Sequence, residues 1–180
     1  VPAPIEIVSV RGCDVRPLDA TDPAVEARLA AYVWAETPAR AERLRRAIAM
    51  QRTKPVDLVQ ADAADWIEAR LGEPQPAGVT RVLMHSVVWQ YLPEDSANRI
   101  RSAMTAAGAR ATTERPLAWV MMEPDRAFAH QVIRVKSWPG HDQWQVIATA
   151  HAHGAWVKNG VEDKDKRRYD LPESAKVEAG

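Results

Sequence analysis

Apolar residues fall along the chain in short blocks, and the spacing inside the blocks changes once. Ile5, Ile7, Val8 and Val10 form a β-branched run that ends at Arg11-Gly12, which predicts a buried strand. In "TDPAVEARLAAYVW" the period becomes helical. Asp22 can cap, Pro23 suits the first helical position, and Val25, Leu29, Tyr32 and Val33 share one face. A second helix starts at Thr37-Pro38, turns Ala41, Leu44 and Ile48 inward, and must stop before Lys54-Pro55. Val56 to Val59 reads as the second strand. A helix through Trp66, Ile67 and Leu71 follows and closes at Gly72.

After a loop with two prolines between Glu73 and Gly78, "RVLMHSVVWQYLP" gives a third strand and the start of another helix. That helix has Pro93 at its head, Glu94 and Asp95 in its positive first turn, Ile100 and Met104 inward and Gly108 at its exit. "PLAWVMMEP" is a fourth strand, apolar throughout, which predicts cover on both faces. From there the period is 2. "QVIRVKSW" and "QWQVIATAHAH" flank Pro139-Gly140-His141-Asp142, a hairpin signal.

Apolar strands alternating with amphipathic helices imply a parallel sheet covered on both faces, and the hairpin adds an antiparallel edge. The expected fold is therefore a three-layer α/β sandwich of Rossmann-like type. It spans residues 1–160, with 161–180 as a charged C-terminal tail or exposed helix.

Composition narrows the partners. The chain has 180 residues, long enough for one domain burying roughly 70% of its unfolded surface. Lys+Arg and Asp+Glu are each 24, so no net field draws it to nucleic acid or an anionic membrane, and a small molecule or a protein is the expected partner. Cys13 is the only cysteine, which fits a reduced, cytoplasmic setting. No apolar run approaches the ~18 residues of a membrane span. The opening Val-Pro-Ala-Pro, without methionine, suggests a piece of something longer.

In an open parallel sheet, ligands bind beyond the carboxyl ends of the strands. That rule selects Gly12-Cys13-Asp14, Asp62-Ala63 and His85-Ser86, three polar tips expected on one rim. Each has an ordinary alternative. Asp14 can be a strand-end turn residue. Asp62 or Asp65 can cap the following helix. His85 can be a pocket wall or a general base, or a satisfied polar residue at a strand end. His85 and Ser86 point to opposite faces of a strand, and no Gly-x-Ser-x-Gly elbow is present, so a hydrolytic pair is not expected. His151 and His153, two apart and so on one strand face, could ligate zinc with a third group, although an edge-strand role is the plainer reading. Cys13 reads as a small core residue. Of the seven tryptophans, Trp34, Trp66, Trp119 and Trp138 are expected inside, and Trp89, Trp144 and Trp156 at a pocket border, a subunit contact or half-buried.

"GCDVRPLD" resembles the end of the second strand in class I methyltransferases that use S-adenosylmethionine, where Gly-x-Asp-x-x-Pro is frequent. The resemblance implies that Asp14 takes the ribose hydroxyls, because a carboxylate accepts both diol protons. "QADAADW" is similar to the third-strand element, which implies Asp62 and Ala63 beside the adenine. "RVLMHSVVWQYLPEDSANRIRSAMTAAGA" resembles the fourth-strand element that lines the cofactor pocket, and brings His85 to it. Those enzymes end with an antiparallel strand inserted into the sheet, which the hairpin also suits.

"RGCDVRPLDATDP", "ADAADW", "HSVVWQYLP", "PLAWVMMEP" and "ATAHAHGAW" are together similar to the carboxyl-terminal half of the bacterial domain of unknown function 2332 family, over about residues 5–157. Members of that family are described as methyltransferase-like. The departure lies at the glycine-rich turn both groups place after their first strand: the 8 glycines here never cluster in that way. By the family pattern the first strand and its turn lie upstream of residue 1, in another half of the same protein. The expected function is an S-adenosylmethionine-dependent methyltransferase-like domain of unknown acceptor. The alternatives are an inactive binding or scaffold module, which could form a homo-oligomer, and metal-dependent chemistry at His151 and His153.

Overall fold

Two units make up the chain, Val1–Gly72 and Glu73–Gly180. The structure, a computed structural model, describes residues 4–128 and 130–160. The reading of 161–180 as a charged tail lies outside the described residues.

In the first unit, β1 (Arg11–Asp14) pairs in parallel with β2 (Asp57–Gln60), from Arg11↔Asp57 to Asp14↔Gln60. The excursion between them holds α1 (Pro23–Ala31) and α2 (Pro38–Thr53), and α3 (Ala63–Gly72) follows β2. The local signals act as expected. Asp22 caps α1 by accepting the Ala24 N–H at 2.8 Å. Residues Lys54-Pro55 end α2, because the ring of Pro55 disfavours helical backbone before it. Ile48, Ala64 and Ile67 are buried.

Two expectations for this unit are corrected. Residues 5–10 are not a strand. The ladder begins only at Arg11, and Ile5, Ile7, Val8 and Val10 have no strand beside them and are exposed. β-propensity without a partner does not make a strand. Trp34 is also not in the core. It sits in the turn after α1, where its carbonyl accepts from Thr37, and it is 74% exposed.

The second unit is a five-stranded sheet in chain order: β3 (Arg81–Ser86), β4 (Leu117–Pro124), β5 (Gln131–Trp138), β6 (His141–Ala150) and β7 (Val157–Asn159). β3 and β4 are parallel, and every later pair is antiparallel. The hairpin forms where Pro139-Gly140 announced it, and its strands are appended in sequence rather than inserted between earlier ones. Between β3 and β4 run a single 3-10 turn (Trp89–Tyr91) and α4 (Glu94–Gly108).

Register assigns the faces. Leu117, Trp119, Glu123, Val132 and Trp138 share one face and are all buried. Gly108 of α4 lies against the Trp138 ring, so α4 covers this face with Ser96, Ala97, Ile100 and Met104 turned inward. The opposite face carries Val82, Met84, Ala118, Val120 and Met122. On this face Met84 is 75% exposed, and the described residues of this unit provide no helix for that side. The chain is thus a mixed α/β protein with parallel and antiparallel sheets. Its parallel strands fall into two sheets rather than the single expected one.

Candidate functional site

The carboxyl ends of the parallel strands hold the polar residues singled out from sequence. In the first unit Asp14 closes β1 and Asp62 follows β2, and the Ala61 N–H donates to the Asp14 carbonyl, which ties the two strand ends together. Asp14 is exposed, and its Oδ1 accepts the Arg16 N–H at 2.7 Å, an Asx turn that fixes the carboxylate at the strand tip. Asp62 Oδ1 accepts the N–H groups of Ala64 (2.8 Å) and Asp65 (3.2 Å), which makes Asp62 the cap of α3. Ala63 is the first residue of that helix. The Cys13 thiol is pushed up from its ordinary pKa, first by burial and then by the carboxylates of Asp14 and Asp62. Both acids are therefore felt at one sulfur.

His85 and Ser86 end β3 in the second unit. They point to opposite faces as alternation requires, His85 half-buried and Ser86 exposed. His85 is fully engaged. Its Nε2 accepts the indole N–H of Trp119 at 3.0 Å, and its Nδ1 lies 2.8 Å from Oε1 of Glu123. An indole nitrogen only donates, so Nε2 carries the lone pair and Nδ1 carries the proton. Trp89 stacks on the imidazole, with ring centroids 5.2 Å apart and planes 24° apart. The aromatic cluster continues through Trp119 to Trp144, with Arg101 over Trp89 and Lys136 over Trp144.

Glu123 is the residue that sequence reading missed. It is buried at the carboxyl end of β4, and one oxygen gathers three donors: His85 Nδ1–H, the Val88 N–H (3.1 Å) and the Trp89 N–H (3.3 Å). Its other oxygen, Oε2, is buried without a hydrogen-bond partner among the described residues. Between His85 and Val88 lies Val87, with φ at 51°, a left-handed conformation that a β-branched residue adopts only under constraint. The available signal was one acid inside an otherwise apolar strand, "AWVMMEP", since a carboxylate there must find donors.

The histidine pair reads differently in the structure. β6 ends at Ala150, so His151 and His153 lie in the turn before β7 rather than on a strand face. His151 Nδ1 accepts the His153 N–H, and the two rings meet edge to face. Among the described residues no group of three or more His, Cys, Asp or Glu is arranged to hold a metal ion. Among them, too, no helix is long and apolar enough to cross a membrane.

What the fold and these strand ends define is a mixed α/β protein with polar residues at the carboxyl ends of its parallel strands. The chain belongs to the family described as an uncharacterized protein conserved in bacteria (DUF2332), whose model matches residues 1–159. Comparison with curated proteins gave no match, and comparison with solved structures gave none.

Proposed function

We propose that the chain contributes the cofactor rim of a methyltransferase-like α/β domain that binds S-adenosylmethionine. In this reading Asp14 takes the ribose hydroxyls, and Asp62 and Ala63 flank the adenine. The observation that carries it is the pair of acids at the carboxyl ends of two adjacent parallel strands, with Asp14 exposed and fixed by its own turn. The fit is partial. Asp62 already spends one oxygen on the α3 cap. The glycine-rich turn that would face the rest of the cofactor is not in these 180 residues.

When bound, S-adenosylmethionine supplies an activated methyl group. The protein's part would be proximity and orientation. His85 fits a wall better than a base, because both of its ring nitrogens are engaged. That engagement also favours a second reading, in which the fold is kept as a binding or scaffold module without catalysis. Titrating S-adenosylmethionine by calorimetry into the full-length protein and into an Asp14→Ala variant tests the assignment. Affinity should fall at least about tenfold in the variant, the loss of one charge-assisted contact. Unaltered affinity rejects Asp14, and absence of binding in the parent protein leaves the scaffold reading.

A further inference from the structure

We infer that Glu123 is a positioning residue that holds the segment Ser86–Trp89 in a strained turn and thereby keeps Trp89 stacked on His85. Its consequence for ligand binding rests on the cofactor reading above; the conformational claim does not.

β3 ends at Ser86, the Val87 N–H still donates to the Met122 carbonyl, and a 3-10 turn begins at Trp89. The next two amides, Val88 and Trp89, are past the ladder and at the head of a helical turn, where N–H groups have no partner within their own element. Oε1 of Glu123 accepts both. Bringing these two amides to one oxygen coincides with a backbone reversal at Val87, which sits at φ 51°. A β-branched residue does not stay there unless its surroundings over-determine it.

The same oxygen accepts the Nδ1–H of His85, so one atom fixes both the ring and the turn that carries Trp89 over the ring. Glu123 comes from a different strand, 38 residues away from His85 in sequence. The turn is therefore held across strands as well as by "HSVVWQY" itself. Two states follow: a held one with Trp89 on His85, and a relaxed one in which Val87 returns to extended backbone and Trp89 leaves the ring.

Nuclear magnetic resonance on the full chain separates them, using Glu123→Gln, Glu123→Ala and Val87→Gly. Glu123→Gln keeps an oxygen where three donors converge; Glu123→Ala removes it. In Glu123→Ala the amides of Val88 and Trp89 should exchange at least tenfold faster than in the parent, the His85 Nδ1–H resonance should lose its hydrogen-bonded position, and α4 amides should be unchanged. Glu123→Gln should restore most of the protection. Val87→Gly, which tolerates positive φ, should raise the melting temperature. Parent-like exchange of both amides in a folded Glu123→Ala protein overturns the inference. If that variant does not fold, a lower melting temperature in Val87→Gly overturns it instead. S-adenosylmethionine titrated into the same variants reports on the cofactor reading separately, since the exchange rates are read without ligand.

Discussion

Gly108 packs so closely on Trp138 that a Cβ built on it would come within 2.5 Å of the indole ring. Trp138 is itself buried, at the start of the hairpin and opposite Leu117, so its ring has little room to retreat. In Gly108→Ala, helix propensity favours alanine by up to about 1 kcal/mol. Overpacking costs about 1–3 kcal/mol and should win. Gly72, also the last residue of a helix, is the control, because nothing lies within 4 Å of its added Cβ. Urea unfolding should show Gly108→Ala destabilised and Gly72→Ala neutral or slightly stabilised.

The Gly108 contact also shows which part of the fold was legible. Element order and type could be read because the punctuation is local: Pro38 and Pro93 at or beside helix starts, Pro55 and Gly72 at helix ends, Pro139-Gly140 in the hairpin. Two inward positions of α4 could be read for the same reason, from the spacing of Ile100 and Met104. What a strand is paired with is not local. The run at residues 5–10 has the composition of a strand but no neighbouring strand among the described residues, and Met84 has the composition of a covered residue but is 75% exposed. The strand-tip rule selected Asp14, Asp62 and His85. It passed over Glu123, which also sits at a strand end, that of β4; the lone acid in "AWVMMEP" marks it, but the partners that meet it, from residues 85, 88 and 89, are not legible nearby.

His85 should exist as the neutral Nδ1–H tautomer, because the only donor facing Nε2 in the described contacts is the Trp119 indole. Long-range 15N correlation spectra of the imidazole read this directly, with Nδ1 as the protonated nitrogen and Nε2 as the bare one. Trp119→Phe keeps an aromatic ring against Trp89 and Trp144 but removes the donor. Leaving the Nε2 acceptor unpaired in a largely buried site should cost about 1–3 kcal/mol in denaturant unfolding. A loss under 0.5 kcal/mol (about the scatter of surface substitutions) would mean that the ring finds another donor.

Asp62 has two possible roles, and stability separates them. As the cap of α3 it satisfies the N–H groups of Ala64 and Asp65 through Oδ1. Asparagine caps nearly as well as aspartate, whereas alanine does not cap at all. Asp62→Ala should therefore lose about 1 kcal/mol and Asp62→Asn only a few tenths, measured by urea unfolding. An equal loss in both would make the charge, rather than the cap, the structural contribution.

The thiol of Cys13 offers a chemical readout of the same rim. Burial comes first among the causes that push it up, and the carboxylates of Asp14 and Asp62 add to it. Only the thiolate attacks an alkylating agent. A thiol with a raised pKa holds less thiolate at pH 8 than free cysteine does, so iodoacetamide should modify Cys13 more slowly than it modifies glutathione. Removing a nearby negative charge makes the thiolate easier to form, so Asp14→Asn with Asp62→Asn should speed alkylation while retaining the α3 cap. The recovery should be incomplete, because desolvation persists when the charges are gone. Alkylation as fast as glutathione in the unmodified protein would show an open sulfur, and no acceleration in the double variant would show that the two carboxylates do not reach it.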